Sequence, residues 1–199
     1  QTVQRASWVQ GSEADFAAMA GAGFWQSPDR HAVLDRIERR DRIGAALEAA
    51  GRLAGRLAGD GGNAAFVAHL AQLLWLLGLA VESLREQQPQ DAVLAVNLGE
   101  ATGPREAAEA RAWWQRVVHM YQQWGEQRRL RVDLVNFDAD RCEALLAVSG
   151  FGAIDILRNE SGLHVLESER DGDARRQTVH VAVAPDLPGV ARTVPADAK

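Results

Sequence analysis

The side chains best suited to chemistry are scattered. His31, His69, His119, His164 and His180 share no ligand spacing, so each reads as a solvated or half-buried histidine. Asp138, Asp140 and Glu143 lie close enough together to ligate a hard divalent cation, but a polar turn between two strands explains them more simply. Cys142 is the single cysteine, which excludes an internal disulfide framework and a cysteine-based zinc cluster. It reads as a small core residue at the start of a strand. No nucleophile–base pair and no phosphate-binding loop stands out. No metal, cofactor or small-molecule site is therefore expected, and the remaining candidates concern binding.

Arginines gather in three places: Arg36, Arg39, Arg40 and Arg42; then Arg128, Arg129 and Arg131; then Arg175 and Arg176. The first group alternates with Asp35, Glu38 and Asp41, the pattern of an ordinary charged helix surface. The other two are candidate contacts for a partner. Trp113 and Trp114 are expected to divide, one in the core and one partly exposed. An exposed Trp114 would suit a protein partner, because tryptophan is enriched in interface hot spots. The alternative is that it packs against a neighbouring helical hairpin.

The elements that must position these residues fall into two blocks. Residues 1–27 show little periodicity and read as a loosely packed lead-in with a short helix near residues 13–20. Ser27 and Pro28 suit the cap and first turn of a helix. Val33, Leu34, Ile37, Leu47, Leu53 and Leu57 then give an imperfect apolar face, ending before Gly59-Asp60-Gly61-Gly62. Phe66, Leu70, Leu73, Leu77, Val81 and Leu84 follow three-and-four spacing and predict a helix over residues 64–86. Residues 28–88 thus read as a helical hairpin or small bundle, closed by a polar linker.

Residues 91–185 alternate in character. Strands are expected at 92–96, 130–136, 142–148, 163–167 and 178–184, with a long helix over 105–127 and a short one over 151–158. The loop at 99–104 and a flexible tail over 186–199 complete the chain. The expected class is α+β: a helical hairpin, then a mixed sheet carrying one long helix.

Composition sets outer limits. With 47% apolar and 25% charged residues the 199-residue chain reads as a globular protein with a real core. A net charge of −5 argues against wholesale nucleic-acid binding, though a local basic face could still touch RNA. The apolar run over residues 70–81 is too short to span a bilayer and reads as a core helix. No signal peptide is visible, and a cytoplasmic location without membrane contact is expected. The chain opens at Gln1 without an initiator methionine, which suggests processing or excision from something longer.

Three segments resemble the bacterial peptide chain release factors. Gly23-Phe24-Trp25-Gln26-Ser27-Pro28-Asp29-Arg30 is similar to the family segment that opens a long charged helix. Glu109-Ala110, Trp113, Met120, Tyr121 and Trp124 match the spacing of its "E-A-x-x-W…M-Y-x-x-W" helix, with a strand on either side. Gly150-Phe151-Gly152-Ala153, then Asn159 to His164, then Arg175-Arg176-Gln177-Thr178 resemble its "G-x-Y-A…E-x-G-V-H-R-L" and "R-R-H/Q-T-S" segments. The likeness runs over roughly residues 23–184 and is nearest to the factors that read UGA and UAA. It implies a structural role for His164 and RNA-facing arginines.

Two departures bear on function. The sequence contains no Gly-Gly-Gln, the loop with which the family presents a backbone donor to the attacked ester. Its one Gly-Gly, Gly61-Gly62, precedes Asn63 between two expected helices. The family's codon-reading tripeptide should fall between His164 and Arg175. Here the stretch is about two residues short, acidic, and without proline or aromatic residue. The expectation is a non-catalytic binding module, either an adaptor within a larger protein such as a Clp-like AAA+ ATPase or a stand-alone ribosome-associated accessory. A true factor truncated outside its codon-reading region is excluded by that same stretch.

Overall fold

The computed structural model describes residues 2–59, 63–99, 104–170 and 173–192, with the backbone alone for residues 2–10, 104–106, 170 and 173. Parts of the expected 59–62 breaker, the 99–104 loop and the tail beyond residue 192 lie outside the described residues. The chain divides into two units, Gln1–Gln88 and Pro89–Lys199.

The first unit is helical. Its first helix, α1 (Thr2–Met19), is longer than the short helix expected there. Gly23, in the left-handed region at φ 89°, turns the chain into a single 3-10 turn, Phe24–Gln26. Phe24 is buried and Trp25 exposed. Ser27 Oγ accepts from the Asp29 amide at 3.2 Å, so the expected cap forms, but regular helix begins two residues later than Pro28, with α2 (Arg30–Gly59). α1 is fastened to α2 by Asp15, whose carboxylate pairs with Arg36 at 2.7 Å and with Arg40. Burial alone would raise the Asp15 pKa, but the two guanidiniums outweigh it and hold the carboxyl below its usual range. Residues 1–27 are therefore more than a loose lead-in.

Asn63 caps α3 (Ala64–Arg85), its Oδ1 accepting from the Ala65 amide at 2.9 Å. α2 and α3 pack together, burying Val33, Ile43, Ala50 and Leu53 on one side and Leu77, Ala80 and Leu84 on the other. The expected α2 face is corrected in part: Ile43 and Ala50 carry the seam, whereas Leu47 is exposed. Arg39, itself buried, pairs with Asp35 at 2.8 Å and donates to the Gln88 carbonyl at 2.6 Å. Ser83 Oγ donates to the same carbonyl at 2.9 Å, which ties down the chain leaving α3. The reading of α3 as a core helix needs correcting. It is 22 residues long and, among the described residues, it alone is long and apolar enough to cross a membrane, yet little of that apolar stretch is buried. Its apolar residues surround the helix, and one seam with α2 cannot cover them all.

The second unit is one sheet with helices. Its strands are β1 (Ala92–Leu98), β2 (Arg131–Asp138), β3 (Glu143–Ser149), β4 (Gly162–Arg170) and β5 (Asp173–Pro185), arranged in the order β2-β3-β1-β5-β4. The α+β class stands, with one refinement: all four pairings are antiparallel rather than mixed. The reason lies in the crossover. The long helix α4 (Pro104–Arg128) carries the chain from β1 to β2, which run in the same direction, but β3 inserts between them.

Trp114, Val117, Val118 and Tyr121 of α4 pack on Leu94, Val96, Leu146, Val148, Val179 and Val181, with Leu157 of the short helix α5 (Ala153–Leu157) in the same core. On the other face of the sheet Val93, Ala95, Leu145 and Ala182 are also buried. That is why β1 reads as an unbroken apolar run rather than an alternating one. A bulge between Leu134 and Asn136 shifts the β2 register, so that Phe137 returns to the α4 side and stacks on Trp114 at 4.9 Å.

Candidate partner-binding surface

α4 ends in a glycine-less reversal. Arg129 takes the left-handed conformation at φ 57°. Its amide bonds the Glu126 carbonyl at 3.0 Å and the Leu130 amide bonds the Gly125 carbonyl at 2.9 Å, which satisfies the last carbonyls of the helix. Leu130 is thereby driven into the core, where Gly150 at φ 155° leaves room for it. Arg128, Arg129 and Arg131 are left on the surface around this reversal. Arg128 lies over the Trp124 ring at 5.8 Å, and Arg131 pairs with Asp133 at 2.8 Å.

The other arginine pair stands elsewhere. Arg175 lies on β5 and donates to both carboxylate oxygens of Glu109 at 3.0 and 3.1 Å, while Gln177 reaches the same carboxylate at 3.3 Å. Arg176 stands opposite Glu167 in the β4–β5 register. Glu109 and Arg128 are separated by most of α4, roughly 28 Å at 1.5 Å per residue. The structure thus brings Arg128, Arg129 and Arg131 to one end of α4 and Arg175 and Arg176 to the other. They do not form a single basic face, and acidic neighbours offset several of them.

Trp114 leaves the candidate set. It is fully buried, and its indole N–H donates to the Val96 carbonyl at 2.9 Å. Neither an exposed hot spot nor packing against the helical hairpin describes it, because helical spacing turns position 114 directly onto β1. Trp113 is the half-buried member of the pair: it donates to the His164 carbonyl at 3.0 Å under the Arg116 guanidinium.

His164 joins a small polar cluster that sequence reasoning did not foresee. Tyr121 Oη lies 3.2 Å from both Glu160 Oε2 and His164 Nε2, and His164 Nε2 lies 3.2 Å from the Glu160 carbonyl. Burial first, and then the Glu160 charge, push the Tyr121 pKa well above its ordinary value, so the phenol stays neutral. The cluster joins α4 to the start of β4 and has the character of a structural clasp. Glu109 as the partner of Arg175 was equally unforeseen. The one available signal was that Glu109, Tyr121 and His164 all sit in the family-like segments.

Asp138, Asp140 and Glu143 fall at the β2–β3 turn. Asp138 Oδ1 accepts from the amides of Asp140 and Arg141, each at 3.0 Å, which occupies that carboxylate in turn formation. No grouping of three metal-ligating side chains occurs among the described residues.

The β4–β5 hairpin is paired from Gly162 with Val181 out to Arg170 with Asp173, so only residues 171 and 172 link the two strands. Glu167, Ser168, Glu169, Ala174, Arg175 and Arg176 line a shallow open depression near its end. This is the stretch where codon reading would be expected from the family resemblance.

Taken together, the second unit is an α+β domain in which a split crossover helix packs on an antiparallel sheet, with no assembled catalytic group among the described residues. The sequence matches the PCRF domain family over residues 76–183, and the chain belongs to that family. It is similar to peptide chain release factor 2 of Listeria monocytogenes, at 32% identity over 89 residues, 41% of this chain and 24% of that protein. It is also similar to peptide chain release factor 2 of Thermotoga petrophila, at 28% identity over 128 residues, 58% of this chain and 34% of that protein. The chain therefore spans about a quarter to a third of the length of these relatives. Among solved structures it resembles RF2 of Thermus thermophilus with a TM-score of 0.43 and 18% identity, covering 96% of this chain and 59% of that one.

Proposed function

We propose that this chain is a non-catalytic, release-factor-like binding module that does not read stop codons. The observation that carries the reading is the β4–β5 hairpin. Strand pairing continues to Arg170 and Asp173, and a two-residue link cannot present a codon-reading tripeptide on a protruding loop. The walls of the hairpin set Glu167 and Glu169 beside Arg175 and Arg176, and Arg175 is engaged by Glu109, so the walls offer no uniformly basic surface for messenger RNA. The likeness to release factor 2 is the likeness of a scaffold, with the ribosome or a protein of the translation apparatus as the natural class of partner.

The test is binding to ribosomes programmed with UGA, UAA or a sense codon in the decoding site. Equal affinity for all three is expected, and a tenfold preference for a stop codon would refute the reading. Within it, the module serves as an adaptor or recognition domain of a larger protein, such as one built on a Clp-like AAA+ ATPase. An immunoblot of the source cells should then show a band several times larger than 21.6 kDa. The stand-alone alternative, a cytoplasmic ribosome-associated accessory protein, draws on the exposed Arg128, Arg129 and Arg131 corner, which suits phosphate contact. It predicts a band near 21.6 kDa and salt-sensitive co-sedimentation with ribosomes.

A further inference from the structure

α1 is attached to α2 through a charge. Among its described side chains, at residues 11–19, Asp15 alone is buried, at 6% exposure, whereas Phe16 is 45% exposed. A helix docked on a neighbour ordinarily buries an apolar stripe. Here the buried group is a carboxylate, and it lies in a fork of two arginines one turn apart on the same face of α2. Arg36 holds it with Nη2 on Oδ1 at 2.7 Å and Nε on Oδ1 at 3.2 Å, and Arg40 Nη1 holds Oδ2. Gly11, one turn before Asp15, lets α1 close over the fork, because a Cβ there would stand 2.8 Å from Arg40 Nη2.

The charges at this fork do not balance. Along α2, Arg39 pairs with Asp35 and Arg42 with Glu38. Arg36 and Arg40 have no carboxylate but Asp15 among the described residues, so two guanidiniums share one negative charge. The contact is also exchangeable. Another carboxylate in the same place would make the same charge-assisted hydrogen bonds. Over residues 11–19 no buried apolar side chain holds α1 in addition.

We propose that the Arg36–Arg40 fork is a docking site for an acidic helix of a partner protein, and that Asp15 occupies it as an internal stand-in until the partner displaces α1. The proposal rests on the reading of the chain as a binding module and assigns that module a site. The chemistry of the occupant is that of the stand-in, a carboxylate offered from one turn of a helix. A partner helix with two carboxylates one turn apart would neutralise both guanidiniums, which Asp15 alone does not. It must compete with α1 at the effective concentration of a tethered segment, of roughly millimolar order.

The probe is a synthetic alanine-based helix carrying Glu at two positions four residues apart, with a Gln version as control, titrated by fluorescence anisotropy onto the whole chain. Asp15→Asn removes the tethered competitor and should bind the Glu helix at least about tenfold more tightly than the unmutated chain. The double variant Arg36→Gln, Arg40→Gln should lose that binding, although α1 is released in it as well. Saturating Glu helix should speed hydrogen exchange at the α1 amides of the unmutated chain. Unchanged exchange over α2 and α3 shows that each variant is folded. Equal affinity of the unmutated chain and Asp15→Asn would overturn the proposal, as would equal binding of the Gln helix or binding that survives the double variant. So would release of α1 by oligouridylate and not by the Glu helix, which would make a phosphate chain the ligand. These measurements use the isolated chain, so they can fail while codon-independent ribosome binding holds, and the reverse.

Discussion

Trp114→Phe offers the most direct check on how the second unit is built. The indole N–H donates to the Val96 carbonyl at 2.9 Å inside a site with no solvent exposure. Losing it removes about 1 kcal/mol net, and more if the carbonyl is left without a replacement. The smaller ring also leaves a void beneath β1, against Phe137 and Val117, worth roughly 1–2 kcal/mol when the surroundings cannot collapse into it. The sum is about 2–3 kcal/mol, or roughly a 30- to 150-fold rise in the opening constant of the sheet.

Because the chain has two units, a global melt would mix their transitions. Hydrogen exchange of the β1 and β3 amides isolates the relevant one. Protection over residues 92–98 and 143–149 should fall by the factor above while the α2 and α3 amides are unchanged. Trp113→Phe is the control: that ring is half buried and its loss should cost about 1 kcal/mol or less. Unchanged β1 protection in Trp114→Phe, or a larger loss in Trp113→Phe, would refute the assignment of Trp114 to the core.

Three further outcomes follow from particular contacts. Tyr121 is the only tyrosine, so ultraviolet absorbance of tyrosinate reports it alone. Its raised pKa means that the folded state holds the proton more tightly; that stability is complete below the unfolded value near pH 10 and is lost as pH rises further. The native chain should therefore show almost no tyrosinate at pH 10, ionising only as it unfolds, and half-ionisation there would exclude the clasp with Glu160 and His164. Asp15 has the opposite sign: its lowered pKa stabilises the α1–α2 junction above the unfolded value near pH 4 and the effect is lost as pH falls through the folded value. Asp15→Asn should cost about 2–3 kcal/mol at neutral pH and almost nothing in acid, measured by exchange of the α1 amides at both. Gly150→Ala combines strained backbone with a clash against Leu130, and should lower the stability of the second unit by about 2 kcal/mol or more in chemical denaturation followed by near-ultraviolet circular dichroism.

The elements were legible wherever local pattern and packing agreed. β1 could be read as a buried run because its residues are buried on both faces, and α4 because its apolar residues recur at helical spacing, although that spacing took Trp113 and Met120 for the inner side, where the structure has Trp114 buried and Met120 exposed. Sheet order was not legible, since nothing in a strand says that a later strand will be inserted beside it. The β2 bulge was hidden for a related reason: Leu134, Val135 and Phe137 carry no mark of which residue is the extra one. The failure at α3 was different in kind. Its three-and-four spacing found the seam with α2, but the same apolar residues continue round the helix, and periodicity on one face says nothing about what meets the other. The site suffered most. Arg175 and Glu109 are 66 residues apart in sequence, and only the fold places them in contact.

The family-like residues divide by task once their positions are known. Ala110, Tyr121 and Gly150 serve packing, Trp113 and His164 join α4 to β4, and Glu109 anchors Arg175 and Gln177. The contacts of Trp113, Tyr121 and His164 hold the helix to the sheet, and the Glu109–Arg175 pair does so toward the hairpin end, where Arg175 also lines the depression. The departure from the family pattern lies at residues 165–174, where strand pairing continues as far as Arg170 and Asp173. The proposal that this chain does not read codons rests on that division, with the scaffold residues kept and strand pairing carried out to Arg170 and Asp173. On that division the informative surface of the second unit for partner search is the one its scaffold leaves outward, the Arg128–Arg131 corner. Substitutions there should alter association without altering exchange in β1, whereas substitutions among the scaffold residues should do the reverse.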